Sequence, residues 1–254
     1  MVEAALWTGA ELVAASGGKI IGEVTKPLNG VSIDTRTVAS GDIFVAIKGG
    51  THDAHDFVAQ ALTAGAGLAI VSRVTDEMMA AGPLLVVDSD PLQALEKIGR
   101  ASRARSQAQV VAVTGSVGKT STKEMLRVAL SASGLTHASL ASFNNHWGVP
   151  LTLARMARTA AYGVFEIGMN HPGEIEPLVK MERPQIAVIT TVEQVHLEFF
   201  DGIEAIADAK AEIFKGDARD GTGAQTRQNA RCGRVQRGER QQGPRAPCAS
   251  AHGE

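Results

Sequence analysis

Cysteine, long apolar runs and an excess of charge of either sign are what this chain has least of, and each scarcity excludes something. Of 254 residues only two are cysteine, Cys232 and Cys248, both near the carboxyl end, so the preceding body offers no thiol for a disulfide or a cysteine metal site. No segment approaches the length of a membrane span, and the opening Met-Val-Glu-Ala-Ala-Leu-Trp-Thr-Gly-Ala-Glu-Leu has neither a basic n-region nor a long apolar run. The expected setting is cytoplasmic, with no membrane partner. Formal net charge is −2 and no basic stripe lies outside the carboxyl-terminal tail, so no nucleic acid or polyanionic surface is expected as a partner. What the chain does have is 44% hydrophobic residues, enough for the cores of one large domain or two ordinary ones.

The pattern of those residues predicts an α/β protein. In residues 1–106, short apolar runs at 30–34, 42–47, 67–71 and 84–88 read as strands, with helical patterns at 57–62 and 91–98 between them. The polar stretch 101–109 reads as a hinge or linker. A second α/β domain then spans 107–216: strands at 110–113, 162–167 and 186–191 alternate with helices near 120–132, 173–181 and 203–214, which implies a mainly parallel sheet. From 217 to 254 the character changes. That tail holds one aliphatic residue, Val235, against seven arginines and no lysine, so nothing in it offsets the entropy of folding, and disorder is expected. The abrupt switch in the middle of an incomplete sheet reads as out-of-frame translation of a disrupted gene, with a natural basic arm as the alternative.

The stretch 110–123, Val-Val-Ala-Val-Thr-Gly-Ser-Val-Gly-Lys-Thr-Ser-Thr-Lys, carries the chemistry. An apolar strand runs into a glycine loop that ends in Lys-Thr at the start of a helix. Backbone amides around Gly115 and Gly118 can wrap a polyphosphate, Lys119 can reach the outer phosphates, and the Thr120 hydroxyl can hold Mg²⁺. The spacing is G-x-x-G-K-T, because Val113 stands where the usual pattern has its first glycine. Ligands of parallel sheets gather beyond the carboxyl ends of the strands, where Glu166 and His196 also fall. Alone, Glu166 reads as a helix cap and His196 as an ordinary loop histidine; beside a phosphate cradle, the two read as an oxygen-rich cation site.

Lys210 is a separate oddity. At about 100° per residue, Ile206, Ala207, Lys210, Ile213 and Phe214 share one face of the last helix, and Glu204, Asp208 and Glu212 the other. The lysine therefore points into an apolar stripe. Either its stem snorkels, or its amine is desolvated, depressed in pKa and nucleophilic.

Four motifs resemble the Mur ligase family of peptidoglycan synthesis: 113–125, the Phe-Asn-Asn-His-Trp-Gly-Val-Pro run at 143–150, Phe-Glu-Ile-Gly-Met-Asn-His-Pro-Gly-Glu-Ile at 165–175, and Ala-Lys-Ala-Glu-Ile-Phe at 209–214. Ser-Ile-Asp-Thr-Arg at 32–36, the run 41–49 and His-Asp-Phe-Val at 55–58 resemble its uridine-nucleotide domain. The resemblance covers residues 1 to about 216 and is strongest to the branch that joins D-alanyl-D-alanine to UDP-N-acetylmuramoyl-tripeptide. It implies an ATP- and Mg²⁺-dependent amide ligase, monomeric, working through an acyl phosphate. It implies that Gly115, Ser116, Val117, Gly118, Lys119, Thr120 and Ser121 hold ATP; that Thr120, Glu166, His196 and Lys210 hold Mg²⁺, with Lys210 carbamylated; and that Lys119, Glu166, His196 and Lys210 serve catalysis. Asp34, Thr35, Arg36, Lys48 and Gly49 would lie near the uridine nucleotide, and Asn144 and Asn145 near its sugar or phosphates. The family carries a third domain, so this chain is expected to be a truncated form. Addition of a diamino acid, or binding of UDP-N-acetylmuramoyl-peptide and ATP without turnover, are the alternatives.

Overall fold

The computed structural model describes residues 5–50, 52–140, 143–193 and 199–216. The expectations for the tail at 217–254, with both cysteines, and for His196 lie outside these residues.

The fold is α/β, with two sheets. The first contains β1 (Lys19–Ile21), β2 (Gly30–Ser32), β3 (Asp42–Val45), β4 (Leu68–Val71) and β5 (Leu84–Val86), in the order β1-β5-β4-β3-β2. All neighbours are parallel except β1, which runs antiparallel to β5. Its helices are α1 (Gly9–Ser16), α2 (Val58–Thr63), α3 (Asp76–Ala81) and α4 (Pro91–Arg105). The second sheet contains β6 (Gln109–Thr114), β7 (Thr136–Ala138), β8 (Tyr162–Glu166) and β9 (Ile186–Ile189), all parallel in the order β7-β8-β6-β9. With it go α5 (Lys119–Ser131), α6 (Gly148–Ala154), α7 (Ile175–Glu182) and α8 (Ile203–Ala211).

β4 is buried along its whole length, which is why its sequence is a continuous apolar run with no alternation. One face of the first sheet packs Val31, Ile43, Leu68 and Leu85 against Trp7, Leu12 and the α4 residues Leu95 and Ile98. The same cluster takes in Leu151 and Ala154 of α6, while Val149 and Leu153 of that helix join the core of the second sheet. The second sheet packs Val110, Ala112 and Phe165 under α6, α7 and α8, and its other face meets Leu126 and Leu130 of α5.

The stretch 101–109 is not a hinge. α4 continues to Arg105, Ser102 and Arg103 are buried, and the arginines of this stretch are cross-links. Arg103 Nη2 donates to Arg183 O at 3.0 Å and its Nε donates to Glu182 O, so the guanidinium caps the carboxyl end of α7, where a helix dipole favours a cation. Arg105 stacks on Trp7, 3.6 Å from the ring centroid, and donates to Leu6 O. Trp7 in turn gives its indole N–H to Ala154 O at 2.8 Å.

The expected amphipathic face at 203–214 also needs correction. The α-helix stops at Ala211 and a 3₁₀ turn, Glu212–Lys215, follows. Each residue of a 3₁₀ turn rotates about 120°, against 100° in an α-helix. By Phe214 the extra rotation has accumulated to about 60° and leaves its ring 62% exposed, while Glu212 is buried against the start of α7. Glu212 then accepts from the N–H groups of Gly173, Ile175 and Glu176, capping the amino end of α7.

Candidate phosphate and cation site

The loop after β6 has a shape only glycine permits. Gly115 sits at φ +147°, and a Cβ there would stand 1.9 Å from Thr190 Oγ1. Gly118, at φ +83°, is the residue from which α5 starts. The loop is fastened to the carboxyl end of β9. Ser116 N–H donates to Thr191 O at 2.9 Å, Val117 N–H to Thr191 Oγ1 at 3.2 Å, and Thr190 Oγ1 to Val117 O at 2.6 Å. Two loop amides are thus engaged within the protein. The amides aimed outward are those of Lys119, Thr120 and Ser121, which the first turn of a helix leaves without intrahelical acceptors and which carry the positive end of its dipole. Lys119 Nζ lies back across the loop, donating to Gly115 O at 2.8 Å.

Glu166 meets this helix start. It ends β8, is 2% exposed, and has both carboxylate oxygens occupied: Thr120 Oγ1 donates to Oε2 and Asn144 Nδ2 to Oε1, each at 2.9 Å. A hydroxyl and a carboxylate at a helix start suit a hard cation that takes its other ligands from phosphates and water. Among the described residues no three His, Cys, Asp or Glu side chains gather into a metal-binding group. Asn145 is not brought to this cluster. Its Oδ1 accepts from the N–H groups of Trp147 and Gly148, starting α6.

Lys210 is 2% exposed. Burial, reinforced by the charge of Lys119, lowers its pKa to about 8. Nζ has no hydrogen-bond or ion-pair partner among the described residues.

In the first sheet the expected residues separate. A cleft of about 490 Å³ opens between Ser32, Asp34, Thr37 and Asp42 on one side and Phe143 and Arg155 on the other. Asp34 lines it and starts a 3₁₀ turn, Thr35–Thr37; Arg36 pairs with the Asp34 carboxylate at 2.6 Å and is otherwise in solvent. Lys48 and Gly49 lie on a different turn, where Lys48 bridges to Asp53 and Gly49 N–H donates to His52 O. That turn is fastened by a constellation the sequence reading did not single out. His55 Nδ1 lies 2.6 Å from Asp53 Oδ1, and His55 Nε2 lies 3.2 Å from Ser72 Oγ. The order Asp, His, Ser resembles a nucleophilic triad, yet Nε2 already accepts the Ser72 backbone N–H at 3.0 Å. The imidazole is a staple between the turn and the end of β4, and the seryl hydroxyl has no free base.

Comparison with known proteins places these features in a family. The pattern described as Mur ligase middle domain matches residues 113–243, and that described as Mur ligase family, catalytic domain, matches 27–103. A curated UDP-N-acetylmuramoyl-tripeptide--D-alanyl-D-alanine ligase from Rickettsia prowazekii is 40% identical over 210 residues, 83% of this chain and 46% of that protein. The protein of the same name from Escherichia coli is 42% identical over 76% of this chain and 42% of its own length. Among solved structures, MurF from Acinetobacter baumannii superposes with a TM-score of 0.74 at 38% identity, over 83% of this chain and 46% of that one. MurF from Thermotoga maritima in complex with ADP superposes with a TM-score of 0.63 at 34% identity, over 75% and 44%. The chain spans about half the length of the curated relatives it matches.

Proposed function

Because the chain belongs to the Mur ligase family, we propose that it carries the nucleotide-binding parts of an ATP-dependent ligase adding D-alanyl-D-alanine to UDP-N-acetylmuramoyl-tripeptide. The observation that carries this reading is the joining of Thr120 and Asn144 to the two oxygens of buried Glu166 at the start of α5. Residues 1–106 form the uridine-nucleotide domain in this reading and 107–216 the ATP-binding domain.

Charge neutralisation is the main task of phosphoryl transfer. The outward amides of Lys119, Thr120 and Ser121 take the phosphates. Lys119 exchanges its bond to Gly115 O for a phosphate oxygen. Thr120 and Glu166 hold one Mg²⁺, which supplies neutralisation of the transferring phosphate. His196 and Lys210 would hold a second cation, Lys210 after its neutral amine has added to CO₂ and released one proton to solvent, giving an N-carboxylate that would supply an anionic oxygen ligand. A lysine titrating at about 8 has a neutral fraction near physiological pH large enough for that addition. The cleft lined by Asp34 would take the uridine nucleotide; Thr35, Arg36, Lys48 and Gly49 would contact it from outside that lining, and Asn144 would act from its bond to Glu166.

Calorimetric titration with ADP, with and without Mg²⁺, tests the phosphate site; no binding, or equal binding by Lys119→Ala, would reduce the glycine loop to a turn. An amide-ligation assay with UDP-N-acetylmuramoyl-tripeptide and D-alanyl-D-alanine separates ligation from binding without turnover, and repeating it with diamino acids separates the two peptidoglycan steps.

A further inference from the structure

α5 buries one residue, Lys123, which is 1% exposed and lies one turn beyond Thr120. An ammonium in that position costs several kcal/mol unless paired, and a helix that needed only packing there would be served by leucine or methionine. Lys123 Nζ donates to Ser139 O at 2.8 Å and lies 3.2 Å from Glu124 Oε1. Ser139 is itself 2% exposed and follows β7 directly. Because β7 ends at Ala138, opposite Val164, no ladder residue reaches Glu166 from this side. The Ser139 hydroxyl fills the gap, accepting the Glu166 N–H at 3.2 Å, while Ser139 N–H donates to Val164 O at 3.1 Å. A buried charge on α5 thus holds the carbonyl of the residue whose hydroxyl holds the backbone of Glu166, and the Glu166 carboxylate meets Thr120 on that same helix.

We infer that Lys123 is a positioning residue for the cation site: by fixing Ser139 it sets the Glu166 carboxylate against Thr120, and with it the affinity for a divalent cation bound together with nucleotide. The inference rests on the reading that Thr120 and Glu166 hold Mg²⁺.

The test titrates ADP into the whole chain and its Lys123→Met and Ser139→Ala variants, in Mg²⁺ and in EDTA, with a thermal melt of each. Losing an outer partner of a metal ligand weakens metal affinity by roughly ten- to a hundredfold. The Mg²⁺-dependent gain in ADP affinity should fall by that factor in both variants, while affinity in EDTA stays at the parent value. The double variant should be no weaker than Lys123→Met, because the two residues act in series. Unchanged Mg²⁺ dependence in both variants, or an equal loss with and without Mg²⁺, overturns the inference and leaves Lys123 a packing residue. If Lys123→Met fails to fold, Ser139→Ala, which removes one hydroxyl, decides alone. A parent protein whose ADP affinity ignores Mg²⁺ fails the underlying reading instead.

Discussion

Replacing Lys210 with methionine should make the folded protein more stable at neutral pH while removing the group that the proposed chemistry needs. In the fold, burial and the Lys119 charge bring Lys210 to about 8, against 10.5 for a free lysine. The unfolded chain therefore binds more protons than the folded one between those two values, and stability rises with pH across that window. Below pH 8 the folded state carries the whole penalty, at most about 3 kcal/mol. Methionine fills nearly the same volume without the charge, so Lys210→Met should gain up to that amount at pH 7 and gain little at pH 10.5. Urea denaturation of both proteins from pH 7 to 10.5, in buffer stripped of CO₂, reads the difference and cancels the titration of every other group. If the variant is as stable as the parent or less so at pH 7, and the difference curve is flat, then Lys210 is solvated and the argument for a reactive amine collapses. Admitting bicarbonate supplies a second readout, since a carbamate on the parent should give a ¹³C signal that Lys210→Met lacks.

Gly115→Ala should abolish ADP binding measured by calorimetry, because its Cβ would collide with Thr190 Oγ1 at 1.9 Å and the residue would hold a φ of +147°; retained binding would show that the loop can refold around a methyl group. Glu182 is fully buried with neither carboxylate oxygen hydrogen-bonded among the described residues, and burial pushes its pKa well above the usual range. The folded state then holds a proton that the unfolded state releases above about pH 4.5, so stability falls as pH rises from there, and Glu182→Met should raise the melting temperature at pH 7 by the equivalent of roughly 1–3 kcal/mol. Glu212→Ala leaves three amides at the start of α7 without their acceptor and should cost about 2 kcal/mol in urea denaturation; a loss near zero would mean that water replaces the cap.

Much of this was legible wherever an element buries both faces or ends in a special turn. The runs at 42–47, 67–71 and 110–113 show no alternation because sheet faces are covered on both sides, and they became β3, β4 and β6 with ends shifted by a residue or two. β1 and β7 were not legible: each has three residues, and Thr-His-Ala in β7 has no apolar pattern. α1 carried an unread signal, the Thr8 and Glu11 capping box that the structure forms in full. Glu166 and Lys210 could be read from their positions at a strand end and on a helix face. Ser139, Lys123 and Asn144 could not be connected, because a hydrogen bond between residues 16 or 22 apart leaves no period in a sequence.

The arginines show why charge is a poor guide to a domain boundary. Arg103 and Arg105 sit in a stretch that composition marks as a linker, and both have guanidinium groups taken out of water. Arg103 earns its burial by meeting carbonyls at the end of α7, and Arg105 by lying on the Trp7 ring. Each partner is remote in sequence, so α4 is tied at its last two turns to the amino-terminal segment and to the second sheet. Separating α7 from the carboxyl end of α4 would strand the Arg103 guanidinium without the Glu182 and Arg183 carbonyls in a low dielectric, which opposes bending there. The Asp34 cleft draws Phe143 and Arg155, from beyond α5, against the edge of the first sheet at β2.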